Sequence, residues 1–101
     1  MTYSAKLAQR IESVGSCLCV GIDPRPELSG GIDAVPEYLK RIVGETAEYA
    51  AAFKPNMAYF EAMGLRGIEM LQDMLQDMPD EVPVILDAKR SDIGETQKYY
   101  A

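Results

Sequence analysis

Three short apolar runs, at residues 17–22, 52–55 and 82–86, constrain this chain more than any other feature of its sequence. Each is too short for a buried helix, and each is followed by turn-forming or polar residues, so all three read as strands. The segments around them repeat apolar residues at helical spacing. Ahead of the first run, Leu7, Ile11 and Val14 form one stripe, with Ser4 as the expected N-cap. After it, a turn-rich loop (Asp23-Pro24-Arg25-Pro26, then Ser29-Gly30-Gly31) leads to Pro36, which suits the first turn of a helix. Leu39, Ile42, Val43, Ala47 and Ala50 make the expected buried stripe of that helix. A further helix is predicted over residues 59–77, with Ile68, Leu71, Met74, Leu75 and Met78 on one face and Pro79 as its stop. Its methionines follow the core period and read as core filler, while Asp73, Asp77, Asp80 and Glu81 read as a solvated face and loop.

Strands alternating with helices imply right-handed crossovers and a parallel sheet. The strand ends recur evenly, with 31 residues from Asp23 to Lys54 and 33 from Lys54 to Asp87. No sequence repeat accompanies the spacing, so it reflects architecture alone. Eight such units make a (β/α)8 barrel of roughly 250 residues. A chain of 101 residues holds about three of them, with a fourth helix expected to begin near Ile93. The expected fold class is therefore α/β: the N-terminal βα units of a barrel that this chain leaves incomplete, with residues 1–101 as a single partial domain.

Composition removes several alternatives. With 16 acidic and 10 basic side chains the net charge is −6, which argues against a grip on nucleic acid or anionic membrane. No apolar run approaches the roughly 20 residues of a membrane span, and the first residues lack the pattern of a signal peptide, so the cytoplasm is the expected compartment. The chain has no histidine and two cysteines. Cys17 and Cys19 fall on one face of a strand, where a disulfide between them would be strained, and they are expected to be buried thiols and not metal ligands.

Polar residues gather at the C-terminal end of each expected strand: Asp23 after the first, Lys54 and Asn56 at the second, Asp87 and Lys89 at the third. In parallel α/β folds ligands bind at that end. Asp87 and Lys89, two residues apart, point the same way if the strand continues through them, and an acid and a base this close hold one another charged. A structural ion pair at one strand end explains any one of these residues. Charged groups delivered by three successive strands to one edge favour a pocket holding a matched network, because an unpaired buried charge is very costly.

These residues carry a resemblance. Asp87-Ala88-Lys89-Arg90-Ser91-Asp92-Ile93-Gly94-Glu95-Thr96 resembles the D-x-K-x-x-D signature of the orotidine 5′-phosphate decarboxylases. Phe53-Lys54-Pro55-Asn56 with Ala58-Tyr59-Phe60-Glu61, and Leu18-Cys19-Val20-Gly21-Ile22-Asp23-Pro24-Arg25-Pro26, resemble the second- and first-strand regions of that family's longer bacterial branch. Sugar-phosphate lyases and synthases of the same suprafamily share the D-x-K-x-x-D element but generally lack the second-strand lysine and use magnesium, so Lys54 favours the decarboxylase.

The resemblance implies a carboxy-lyase that needs no cofactor or metal and converts orotidine monophosphate to uridine monophosphate and carbon dioxide in pyrimidine biosynthesis. It implies Lys89 as the proton donor, Asp87 beside the substrate carboxylate, and Lys54 and Asp23 on the ribose hydroxyls. It also implies a homodimer with shared active sites, into which Asp92 and Thr96 reach from the partner. Read without the resemblance, Asp92 would cap the helix expected at Ile93. Ser91 departs from the glycine of that branch's motif. If the position needs a positive φ, serine costs about 1 kcal/mol. Length is the larger departure: the family grips the substrate phosphate from the last strands of the barrel, so this chain alone is expected to be inactive or very weakly active. A non-catalytic assembly or interaction module built on the same units, with its sheet edges as the binding surface, is the alternative from another functional class.

Overall fold

A computed structural model describes residues 2–88. Its elements run in the order helix α1 (Tyr3–Val14), strand β1 (Cys19–Ile22), short helix α2 (Pro26–Ser29), a 3-10 turn (Ile32–Ala34), helix α3 (Val35–Thr46), strand β2 (Ala52–Pro55), helix α4 (Met57–Ala62) and helix α5 (Leu65–Asp77). β1 and β2 pair in parallel, in the register Cys19–Ala52, Val20–Phe53, Gly21–Lys54 and Ile22–Pro55. The crossover between them is α3, as the alternation of apolar patterns requires.

The third apolar run joins the sheet more loosely than expected. It meets β2 through parallel bridges at Phe53–Val84 and Asn56–Asp87, not as a full strand over 82–86. Pro83, which has no N–H, interrupts the donors at its start. Three backbone bonds nonetheless tie it to β2, with a gap at Pro55, which has no N–H to donate. The Phe53 N–H donates to Pro83 O (3.0 Å), Ile85 N–H to Phe53 O (2.8 Å) and Asp87 N–H to Pro55 O (3.0 Å).

The core lies on the helical side of this sheet, where Ile22, Phe53 and Phe60 are sealed from water with Val35, Leu39, Leu71, Met70, Met74 and Met78. The methionines of α5 are therefore core filler, as their spacing predicts. Asp73, Asp77, Asp80 and Glu81 are exposed, also as expected.

Several local expectations are corrected. Thr2, not Ser4, caps α1: its Oγ1 accepts the Ala5 N–H at 3.1 Å, and Ser4 lies inside the first turn. α2 and the 3-10 turn occupy what reads as an irregular loop; Pro26 starts the former, and Gly30 (φ 95°) and Gly31 (φ 110°) separate the two. α3 ends at Thr46, so the buried Ala50 belongs to the approach to β2 and not to the helical stripe. The single helix expected over 59–77 is two helices, broken at Gly64 (φ 70°, ψ −149°), a backbone conformation open essentially to glycine alone. The break turns α5 so that Gly67, Met70, Leu71 and Met74 are buried, whereas Ile68 and Leu75 are each 38% exposed. Cys17 and Cys19 are exposed free thiols rather than buried ones. Along β1 the side chains alternate, Ile22 and Val20 packing into the core while Cys19 and Gly21 face away from it.

α1 buries none of its side chains, so something other than a core face must hold it. Arg10 supplies the anchor: Nε donates to Ala50 O at 3.0 Å and Nη2 to Ala47 O at 2.5 Å. Both carbonyls follow the last turn of α3, where a helix carries partial negative charge, and a planar guanidinium can reach two of them at once. Arg10→Ala is expected to lower stability by about 2 kcal/mol and to release α1 before the rest of the chain. Hydrogen exchange checks this: α1 amides should lose protection while α5 amides keep theirs. Unchanged protection in α1 would show that its half-buried Leu7, Ile11 and Val14 suffice.

Candidate active site

The C-terminal ends of β1, β2 and the 83–87 segment finish level with one another. Ile22 pairs with Pro55, and the ladder continues one residue further, the Asn56 N–H donating to Ile22 O at 3.1 Å. On the other side Asn56 bridges Asp87, whose carbonyl accepts the Met57 N–H at 2.8 Å. Asp23, Asn56 and Asp87 therefore occupy one row across the sheet, at the C-terminal end of each segment.

Lys54 sits two residues before Asn56. Its neighbours Phe53 and Pro55 are buried, and Lys54 is exposed on the opposite face, beside Gly21 in register. Alternation thus sends Phe53 and Pro55 to one face and the ammonium to the other. Gly21, with no side chain, leaves space next to it. Asp23 is exposed and Asp87 half-buried. Asp23, Lys54 and Asp87, two acids and one base, come from three adjacent segments at this end of the sheet. Lys89, Ser91, Asp92, Thr96 and the helix expected at Ile93 lie outside the described residues.

Asn56 has a structural task as well. Only 8% exposed, it caps α4, its Oδ1 accepting the Ala58 N–H at 3.1 Å. The cap fixes the first turn of α4 against the sheet end and buries Ala58, Tyr59 and Phe60 behind it. The signal was available in the sequence, since an asparagine directly before an apolar helical run is a cap pattern.

Arg25 was legible only as a turn residue, yet it reaches from the loop after β1 to α4. Its Nη2 donates to the Tyr59 Oη at 3.2 Å, and its guanidinium carbon lies 5.3 Å from the centre of the Tyr59 ring. Nothing local in the sequence announces a contact between residues 34 positions apart. Among the described residues no three His, Cys, Asp or Glu side chains form a group that could hold a metal ion, and no helix is long and apolar enough to cross a membrane.

Comparison with known proteins agrees with this geometry. Residues 16–101 match the model of the orotidine 5′-phosphate decarboxylase / HUMPS family. The chain is 43% identical to the orotidine 5′-phosphate decarboxylase of Variovorax paradoxus and 42% identical to that of Dehalococcoides mccartyi, in each case over its whole length. It spans only 39% and 37% of those relatives' own lengths. Among solved structures, Leishmania donovani OMP decarboxylase superposes with a TM-score of 0.75 at 42% identity, over all of this chain and 38% of that one. Leishmania donovani UMP synthase gives 0.76 at the same identity, over all of this chain and 22% of that one. The parallel βα units described above are accordingly those of a (β/α)8 barrel. With the family model covering the sheet, its crossovers and the row of polar strand ends, this chain belongs to the orotidine 5′-phosphate decarboxylase / HUMPS family.

Proposed function

We propose that a barrel built on this chain, with residues 1–101 as one partial domain of it, decarboxylates orotidine 5′-monophosphate to uridine 5′-monophosphate. The observation that carries the reading is the level row of strand ends, which sets Asp23 and Asp87 on either side of β2 and its outward-facing Lys54. In the proposed reaction the bond from ring carbon 6 to the carboxylate breaks, carbon dioxide leaves, and the electron pair stays on carbon 6. The Lys89 ammonium stabilises that charge where it develops and then passes its proton to the carbon. Asp87 lies beside the substrate carboxylate and keeps Lys89 charged and aimed. Lys54 and Asp23 bind the ribose hydroxyls, Lys54 extending the alternation of charge. No metal or cofactor enters the chemistry.

Asp92 and Thr96 are assigned to the site of a second subunit, in a homodimer located in the cytoplasm. Lys54 also speaks against a magnesium-dependent sugar-phosphate lyase or synthase of the same suprafamily, in which that second-strand lysine is generally missing. Release of labelled carbon dioxide from carboxyl-labelled orotidine monophosphate tests the assignment on the protein with its barrel complete. Turnover is expected there. The 101-residue chain by itself is expected to show little or none, because remote binding of the phosphate supplies much of the catalytic advantage in such a reaction. A complete barrel that binds neither orotidine nor uridine nucleotides would overturn the proposal.

A further inference from the structure

We infer that Arg25 is a positioning residue that acts through Asp23, by locking the loop after β1 onto the buried face of α4; the inference rests on the decarboxylase reading above, in which Asp23 binds the ribose. Asp23 stands on a very short span between fixed points. Behind it, Ile22 is buried and its carbonyl accepts the Asn56 N–H. Ahead of it, Pro24 is fully buried, and Arg25 is held to Tyr59 by a hydrogen bond of 3.2 Å and by its place over the ring at 5.3 Å. The Arg25 carbonyl in turn accepts the N–H groups of Leu28 (2.9 Å) and Ser29 (3.1 Å), and Pro26 begins α2, so the chain beyond Asp23 is tied down by backbone and side chain together.

Tyr59 makes a firm anchor. It is 1% exposed and sits in the first turn of α4, which Asn56 caps from the same row of strand ends that carries Asp87. Arg25 thereby ties the first strand end to the block that positions the other two. A recess of about 260 Å³, lined by Gly21, Asp23, Arg25, Leu28, Ser29 and Tyr38, opens beside the loop. Asp23 thus has space into which to swing if the loop loosens. Arginine is suited to this contact because one planar group can lie over the ring and still donate to the hydroxyl, which a lysine ammonium does less well.

The test is a double-mutant cycle in the complete barrel: wild type, Arg25→Met, Asp23→Ala and the pair, with kcat and KM measured for orotidine monophosphate. Arg25→Met is expected to raise KM about tenfold while leaving kcat little changed, the factor that one cation–π contact and one hydrogen bond together represent. In the Asp23→Ala background the same substitution should change KM by less than about twofold, because a residue acting through Asp23 has nothing left to position. Arg25→Lys should recover part of the loss. Tyr59→Phe, which keeps the ring and removes only the hydroxyl, is expected to raise KM about threefold, again only when Asp23 is present. It serves in place of Arg25→Met if that variant does not fold. Equal factors in both backgrounds, or no change in KM from either Arg25→Met or Tyr59→Phe, overturn the inference. Wild-type protein that does not turn over orotidine monophosphate overturns the decarboxylase reading itself, and this inference with it.

Discussion

Lys89→Ala, introduced into the complete barrel, is expected to lower kcat/KM for orotidine monophosphate by about 10⁴-fold or more. Two losses combine to give that figure. A positioned proton donor contributes about 10²–10⁴-fold, and a charge aimed at the developing carbanion contributes a comparable factor. Lys89 belongs to the D-x-K-x-x-D element, two residues after Asp87 in the sequence. The Asp87 backbone is held at both groups, its N–H donating to Pro55 O at 3.0 Å and its carbonyl accepting the Met57 N–H at 2.8 Å. Lys89→Arg keeps the positive charge but not the compact donor, and a guanidinium holds its proton at any working pH, so the arginine variant is expected to stay far below wild type. Uridine monophosphate binding by both variants would confirm that the barrel is intact. A rate near that of wild type for Lys89→Ala would remove the role assigned here to Lys89.

The strand ends were the most legible part of the molecule. Apolar runs that reach Asp23, Lys54 and Asp87 at nearly even intervals specify a parallel α/β layout, and the register sets Asp23 and Asp87 level with Asn56, two residues beyond Lys54 on β2. Burial enforces this, because a one-residue slip of β2 would turn Phe53 to the open face and Lys54 into the core. What periodicity could not show was where the apolar face ends. Cys19 alternates correctly with Val20, yet only one side of the sheet carries the helical core, so the thiol is exposed. The break between α4 and α5 was hidden for a similar reason. Apolar residues continue at near-helical intervals through Gly64, and only its positive φ, a backbone property, divides them. The Arg25–Tyr59 contact joins two elements through tertiary packing, which no local pattern encodes.

Gly67→Ala and Gly44→Ala are expected to have opposite signs, although both replace a glycine inside a helix. On an exposed helix the change to alanine restricts the unfolded chain and favours the helix by about 1 kcal/mol. Gly44 in α3 fits that case: it is exposed, and a Cβ there would meet nothing within 4 Å. Gly67 in α5 is buried against the end of α4. A Cβ on Gly67 would fall 1.9 Å from the Phe60 carbonyl oxygen, 2.9 Å from the Phe60 carbonyl carbon and 2.8 Å from the Met63 Cβ. Two of those atoms are backbone and cannot rotate aside, so α4 and α5 must move apart. Overpacking of this kind costs about 1–3 kcal/mol, and the rigid carbonyl puts Gly67→Ala at the upper end, with its helix-propensity gain too small to offset it. About 3 kcal/mol is a large share of the 5–15 kcal/mol typical of a native domain. Denaturant unfolding of both variants in the same barrel measures the pair directly. The Gly44→Ala midpoint should rise and the Gly67→Ala midpoint should fall by a larger amount. If the two shifted together, the close approach of α5 to Phe60 would not be part of the folded protein. The consequence reaches the site, because Phe60 and Tyr59 lie in the same turn of α4. Moving that turn would disturb both the Arg25 anchor and the Asn56 cap, so Gly67→Ala should raise KM for orotidine monophosphate as well as lower stability, whereas Gly44→Ala should leave it unchanged.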